Sequence, residues 1–440
     1  MLIKRTLFVF TMVVCCVSST SLYARPDASV KFSIIREENP KQQQNKLLVP
    51  YGFSADSLGL TIGLGGMLKG YGQDQLLMAG TAMASFDDAA IAILGMWDYQ
   101  LPFANRLFFS AVGSTGTYPR QRAYVSVPRP AGDTYAGSND SDKDDYFEDS
   151  GTDSWMDFKL EYVLPIGDGS DGPLESYKLK SGMLSNTGSG GDTWNPLSSG
   201  TTILMLKQFN RYQSFDLPLP LGKKNYSTHP LRLGILYNNT DFPSNPSKGS
   251  SQYVAYTKDF AWGEYSEEWD FIEFEASKYY NLGSTDWSKQ QVLALNIWTG
   301  YSPSFSAETD ANGNRIVSDD PPFSQGARLG GLYRMRAYPS NRFHDKAVLY
   351  GSLEYRWTPY WNPIGNIHWL KFLQMDWMQV VPFVELGRVA DEYDPGELLS
   401  DIKVDGGIGL RAMMAGGVAR FDVAASEEGS SIWVMFGHPF

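Results

Sequence analysis

The sequence predicts an all-β fold, a transmembrane antiparallel β-barrel of about sixteen strands, and three observations carry that prediction. Past residue 24 no apolar run reaches the ~18 residues that a membrane-spanning helix needs. Side chains alternate between apolar and small or polar along almost the whole chain, the period of a strand with two unlike faces. The aromatics, 14% of the 440 residues, gather at the ends of these runs, as at Tyr279 and Tyr280 or at Tyr355, Trp357, Tyr360 and Trp361, where a barrel wall meets the edge of a bilayer. A chain that crosses a bilayer without helices must satisfy its backbone by closing a sheet.

Residues 1–24 read as a secretory signal: Lys4 and Arg5, an apolar run from Leu7 to Val17, then small residues ending near Ala24. Cys15 and Cys16, the only cysteines, would leave with it, so the exported chain is expected to hold no disulfide and no thiolate site. Removing Lys4 and Arg5 from 37 basic residues leaves 35 against 49 acidic ones, a formal charge of −14. That balance argues against a nucleic-acid partner. Residues 25–45 are polar, with "NPKQQQNK" at 39–46, and are expected to be a short periplasmic lead with no room for a folded domain. Residues 46–440 are then the barrel.

Sixteen candidate strands follow, near 46–54, 57–68, 74–87, 89–100, 105–117, 154–164, 175–187, 230–244, 251–261, 267–281, 287–301, 346–357, 377–389, 404–413, 418–425 and 430–440. In the second, Leu60, Ile62 and Leu64 oppose Thr61, Gly63 and Gly65. A water-soluble sandwich alternates too; strand lengths of about 9 to 11 residues and loops that are long and short by turns favour the barrel. An even count puts both chain ends on one side. Residues 199–213, "SGTTILMLKQFNRYQ", fit least well and read as a helix, a hairpin within a long loop, or a strand.

Ahead of the strand at 346–357 lies a basic loop broken by Gly and Pro. This loop, "GGLYRMRAYPSNRF" (330–343), together with "PFVELGRVAD", "DGGIGLRAM", "VARFDVA" and the terminal "WVMFGHPF", resembles the BamA/TamA superfamily of outer-membrane barrels. "DFPSNPSKG" (241–249) resembles a periplasmic turn of that family. The resemblance implies that the long sixth outer loop folds back into the lumen, with Arg336, Ala337 and Tyr338 as its tip after Gly330 and Gly331. Ala337 replaces the family's usual Gly, so the tip cannot easily take a positive φ there. The chain also lacks the family's usual periplasmic domains and resembles a barrel-only branch.

By the resemblance, Arg336 would reach an acidic residue of the inner wall. Alternation independently turns two carboxylates inward: Glu385, in phase with Val381 and Phe383, and Asp422, in phase with Arg420 and Ala424. A guanidinium between carboxylates forms charge-assisted, often bidentate bonds. Phe436 and Phe440, on the last alternating run, would form the C-terminal sorting signal that the outer-membrane assembly machinery reads in a client. The acidic stretch 132–153 holds eight carboxylates. Asp140, Asp142 and Asp144 have the spacing of a calcium loop, but Asp145 stands where that loop needs Gly. No metal, cofactor or catalytic constellation is expected, and the chain is not expected to be an enzyme. The expected location is the outer membrane of a Gram-negative bacterium, with lipid around the barrel. The expected role is to move a protein or lipid substrate across or into that membrane. The alternative is a passive structural or porin-like barrel plugged by its own loop, with a homo-oligomer left open.

Overall fold

The structure is a computed structural model that describes residues 26–38, 44–55, 58–125, 135–186, 193–216, 223–309, 311, 315–363, 367, 373, 375–414 and 416–440. The expected signal at 1–24 lies outside the described residues. The chain enters through β1 (Phe32–Arg36), which stands apart from the main sheet. The main sheet then runs neighbour to neighbour through β2 (Asn45–Ala55), β3 (Gly59–Lys69), β4 (Leu77–Ser85), β5 (Ala90–Gln100), β6 (Leu107–Ala123) and β7 (Phe147–Val163), each antiparallel to the last. The long connection after β7 carries β8 (Glu175–Lys180) and β9 (Met183–Leu184), and β1 lies parallel to β8.

The main sheet resumes with β10 (Thr201–Asp216), bonded to β7 along one edge. Its other edge pairs first with β11 (Lys223–Thr228) and then with β12 (Leu231–Asn238). The break between those two falls at Pro230, which has no N–H to give the ladder. The sheet continues through β13 (Gly249–Phe260), β14 (Glu268–Thr285) and β15 (Ser288–Tyr301). A long connection, 302–346, holds two small hairpins: β16 (Ser306–Thr309) with β17 (Arg315–Ser318), and β18 (Ala327–Leu329) with β19 (Phe343–Asp345). The chain then returns to the main sheet as β20 (Ala347–Pro359), β21 (Met375–Ala390), β22 (Lys403–Met414), β23 (Gly417–Ser426) and β24 (Ser430–Phe436).

Two strand assignments change. Residues 175–187 leave the main sheet, because β8 and β9 pair with β1 instead. Residues 199–213, the segment that fits the alternation least well, supply β10. The reason is visible in the side chains. Leu204 and Leu206 are exposed while Ile203 and Met205 are buried, so both faces are apolar and a period-two pattern does not show.

The two faces of the sheet are the reverse of those in a water-soluble protein. On β7 the residues Asp153, Asp157, Lys159 and Glu161 are buried, and Met156, Phe158 and Tyr162 are exposed. On β14 Glu273 and Glu275 are buried while Ile272 and Phe274 face out. Glu354, Glu385 and Asp422 are 0% exposed, against 57% for Ile408 and 74% for Leu94. Single exposed apolar residues need no explanation, but a continuous oily surface over a charged interior does. The buried face is not charged throughout. On β4 and β5 it carries Met83, Ile91, Ile93 and Trp97, which cluster with Trp155. Glycines let aromatics lie flat there: a Cβ at Gly63 would come within 2.4 Å of the Tyr51 ring, and one at Gly95 within 2.4 Å of Trp97.

The polar lead predicted at 25–45 is also placed. Residues 27–31 pack on the buried face of the main sheet, with Ala28 and Val30 in a cluster with Phe108, Ile203 and Leu236. Phe32 then meets Tyr177 and Phe242 edge-on, at ring-centroid distances of 5.6 and 6.1 Å. Phe242 opens the 241–249 turn, which Asp241 organises by accepting the N–H groups of Phe242, Ser247 and Lys248. Residues 39–43 lie outside the described residues.

Ile408→Arg, at the middle of β22 on the exposed face, should lower the unfolding free energy in phospholipid vesicles by about 2–4 kcal/mol. Denaturant titration of the vesicle-inserted protein measures this. A loss under about 0.5 kcal/mol would mean that this face does not meet hydrocarbon.

Candidate functional site

The site is built by the β18–β19 hairpin, whose register pairs Ala327 with Asp345 and Leu329 with Phe343. At its base Gly330 and Gly331 take φ of 103° and 105°. A Cβ on Gly330 would sit 2.1 Å from the Pro339 carbonyl oxygen, so no other residue fits. The Gly331 N–H donates to the Tyr338 carbonyl at 3.0 Å and the Tyr338 N–H to the Met335 carbonyl at 3.1 Å, folding the tip into a tight turn. The left-handed residue of that turn is Met335, at φ 56°. Ala337 is not among the residues with positive φ. The left-handed position is thus shifted two residues from Ala337, to Met335.

That shift aims Arg336 into the buried face. Its Nη1 donates to Asp422 Oδ2 at 2.7 Å and its Nη2 to Glu354 Oε1 at 3.2 Å, and its Nε lies 3.2 Å from Glu385 Oε2. The guanidinium lies 3.5 Å from the centroid of the Phe383 ring. Its own backbone N–H donates to Glu385 Oε2 at 2.7 Å, and the next one, from Ala337, donates to Asp405 Oδ2 at 2.7 Å. Burial alone would lower the pKa of Arg336; Glu385, Asp422 and Glu354 more than offset this and raise it well above its ordinary value. Trp433 of β24 donates its indole N–H to the Arg336 carbonyl at 2.6 Å. The tip therefore touches β20, β21, β22, β23 and β24.

Around it the carboxylates have further cations. Glu354 accepts from Arg411 Nη2 at 2.6 Å and from Arg356 Nε at 3.0 Å. Asp422 lies 3.4 Å from Arg420 Nε, and Arg420 Nη2 donates to the Leu332 carbonyl at 2.7 Å. Tyr350 donates its hydroxyl to Glu385. Two more loop arginines anchor either side of the tip. Arg334 bonds Glu275 at 2.7 Å and lies over Trp298 at 3.5 Å; Arg342 forks onto both oxygens of Glu428 at 2.8 Å and donates to the Ser141 carbonyl at 2.6 Å.

The structure thus brings together Arg336, Glu385 and Asp422, with Ala337 and Tyr338 in the same turn. Tyr338 packs edge-on to Phe343 at 5.1 Å. The sequence reading does not single out Glu354 as a partner. Asp405 is reached by a backbone N–H, and no side-chain pattern signals that. Phe436 lies on the exposed face. Phe440 does not continue the strand as the alternation predicts. Gly437 turns the chain at φ 83°, and Phe440 is buried beside Tyr279 and Val292 with Arg356 over its ring at 5.2 Å. Among the described residues no group of three or more His, Cys, Asp or Glu side chains is placed to hold a metal ion. His368 lies outside them.

The Omp85 superfamily domain model matches residues 143–431, which include the loop, its tip and every carboxylate that Arg336 meets. The chain belongs to the Omp85 superfamily. No curated protein matches it. Among solved structures, BamA from Haemophilus ducreyi lacking POTRA domains 1–3 is 12% identical with a TM-score of 0.44, covering 91% of this chain and 69% of that one. CdiB from Escherichia coli is 12% identical with a TM-score of 0.49, and CdiB from Acinetobacter baumannii 12% with 0.47. They cover 90% and 89% of this Omp85 chain, which spans only 60% and 59% of theirs.

Arg336→Ala in this Omp85 chain should destabilise the folded protein by roughly 3–5 kcal/mol, because three buried carboxylates lose a cation. It should also speed proteolytic cutting within 327–343. Arg336→Lys should restore only part of that protection, since an ammonium cannot fork. Equal protection for all three chains, followed by limited proteolysis and denaturant titration, would show that the tip is held by packing alone.

Proposed function

We propose that this Omp85 protein is an outer-membrane barrel that moves polypeptide or lipid across or into the membrane, with Arg336 as the pin of its sixth outer loop. In this reading β11 and β12 count as one strand, sixteen strands span the bilayer, and β2 closes against β24. The single observation that carries the reading is the Arg336 cluster. A loop arginine, wholly buried, ties β20, β21 and β23 to one tip through Glu354, Glu385 and Asp422. Superfamily membership over 143–431 supports the same reading, as does the barrel topology of the sheet. The connections β2–β3 through β23–β24 at one end become eight outer loops, of which 302–346 is the sixth, and the turn at 241–249 faces the periplasm. The role is mechanical rather than chemical. The pinned loop stops the pore, and the boundary between β2 and β24 is where a client would enter.

The last strand suits that role. It has seven residues before Gly437 breaks it, so few ladder bonds hold its outer edge and a client strand that displaces them has little to break. A second reading has an observation of its own. In it the loop, held by five ion pairs from Arg334, Arg336 and Arg342, is a permanent plug in a structural or porin-like barrel.

Photo-crosslinking residues at Leu48 in β2 and at Val434 in β24, activated in living cells, should capture polypeptide or lipid at the boundary. Failure of both positions to capture anything would remove the translocation reading. Conductance in planar bilayers separates the readings further. The parent protein should pass little current and Arg336→Ala more; steady current insensitive to that change would mark an open porin.

A further inference from the structure

The N-terminal segment is held on the buried face by a pattern of charges as specific as that of the loop. Asp27 bonds Arg232 of β12, lies 3.2 Å from Lys207 Nζ of β10, and its carbonyl accepts from Lys159 Nζ of β7 at 2.7 Å. Four residues on, Lys31 is 0% exposed, with its ammonium 2.6 Å from both Glu161 of β7 and Asp98 of β5. Between them the Ser29 N–H donates to Glu161 Oε1 at 2.8 Å. The wall therefore presents a cationic patch and an anionic patch spaced for an extended chain, with an apolar patch between them that takes Ala28 and Val30. Beyond Lys31 the segment becomes β1, held by a five-residue parallel pairing with β8, by Phe32 against Tyr177 and Phe242, and by Arg36 on Asp376 at 2.9 Å.

The wall charges do not depend on the segment for all their partners. Lys207 lies 2.7 Å from Asp157, Arg232 3.2 Å from Glu273, and Lys159 3.1 Å from Glu161. With the segment withdrawn, each of these cations keeps a carboxylate, so the cost of exchange is small compared with exposing lone buried charges. Burial would lower the pKa of Lys31, but Asp98 and Glu161 together raise it above the ordinary value, so the ammonium enters charged.

We infer that residues 26–36 occupy a peptide receptor on the buried face, whose ligand is an extended polypeptide segment with an acidic residue followed four residues later by a lysine. The segment is an internal stand-in: it holds the receptor until a client segment of the same pattern takes its place. This rests on the reading that the barrel moves polypeptide, and it names what the wall recognises.

The test uses the full-length protein and a fluorescent synthetic peptide, PDASVKFSIIR, the sequence of residues 26–36. The hydroxyls of Ser33 and Ser176 lie 2.9 Å apart on β1 and β8, so Ser33→Cys with Ser176→Cys should lock the segment in place when oxidised and free it when reduced. Under reducing conditions, with the resident segment loosened by Asp27→Ala and Lys31→Ala, the peptide should bind. It should bind about a hundredfold weaker when its own Asp and Lys are replaced by Ala. Oxidising the cysteine pair should abolish binding. Lys31→Met, which keeps the stem against Phe108, serves as the loosening change if the double variant does not fold. No binding to either loosened, reduced chain would overturn the inference, and so would equal binding of the charge-stripped peptide. Because the readout is binding alone, peptide capture with no crosslinked client at β2 or β24 would count against the translocation reading and leave the receptor standing.

Discussion

The structure depends on one constraint: charge buried in the interior has to be matched there. The wall of β20 to β23 places Glu354, Glu385, Asp405 and Asp422 side by side with Arg356, Arg411 and Arg420, all nearly inaccessible. The wall thus holds four carboxyl groups and three guanidinium groups, and the fourth guanidinium, Arg336, comes from the loop. Two further demands, those of Glu385 and Asp405 for N–H donors, are met by the backbone of Arg336 and Ala337. A loop held in this way is a component of the wall's electrostatics, since its removal leaves carboxylates that neither water nor a neighbour fully satisfies. The same demand explains the turn at Met335. With the left-handed residue there, both amide groups and the guanidinium point to the same side.

Three separate pieces of chain fill the interior, and the polarity of the wall follows them. Where the 327–345 hairpin lies, the wall is arginine and carboxylate. Where the N-terminal segment lies, it is a cationic patch beside an anionic one. Where the C-terminal tail turns in, Arg356 and Arg411 receive Phe440 and His438. Away from these inserts, Met83, Ile91 and Ile93 of β4 and β5 make the buried face apolar, with Tyr51 and Trp97 lying over Gly63 and Gly95. Charge on the inner face is therefore a record of which inserted segment it meets, which a generic picture of a wet barrel interior does not capture.

Much of this was legible in the sequence. Alternation assigned Glu385 and Asp422 to the inner face because the residues on either side of each are apolar, Val384 and Leu386 for one and Phe421 and Val423 for the other, and it erred at β10, where no polar residue marks the inner side of Ile203 and Met205. β10 has apolar residues on both faces because Ile203 and Met205 meet Ala28 and Val30, a contact across more than 170 residues that no local pattern records. The segment at 175–187 alternates well enough to pass for a wall strand, but its partner is β1. The N-terminal segment looked like a polar tether for a related reason: the charged partners of Asp27 and Lys31 lie on strands far along the chain. The arginine pin was readable because the loop motif survives; the third carboxylate, Glu354, lies in the strand that follows the loop and needed the three-dimensional register to be recognised.

The inward turn at Gly437 has a practical side. The last carbonyl of the chain lies 3.5 Å from Arg356 Nη2, deep among β14, β15 and β20. Residues appended after Phe440, such as an affinity tag, would have to thread back out past that arginine or pull the phenylalanine from its seat. Purification handles for this protein therefore belong in exposed loops on the opposite rim, and a carboxy-terminal fusion would report on a molecule whose interior has been rearranged.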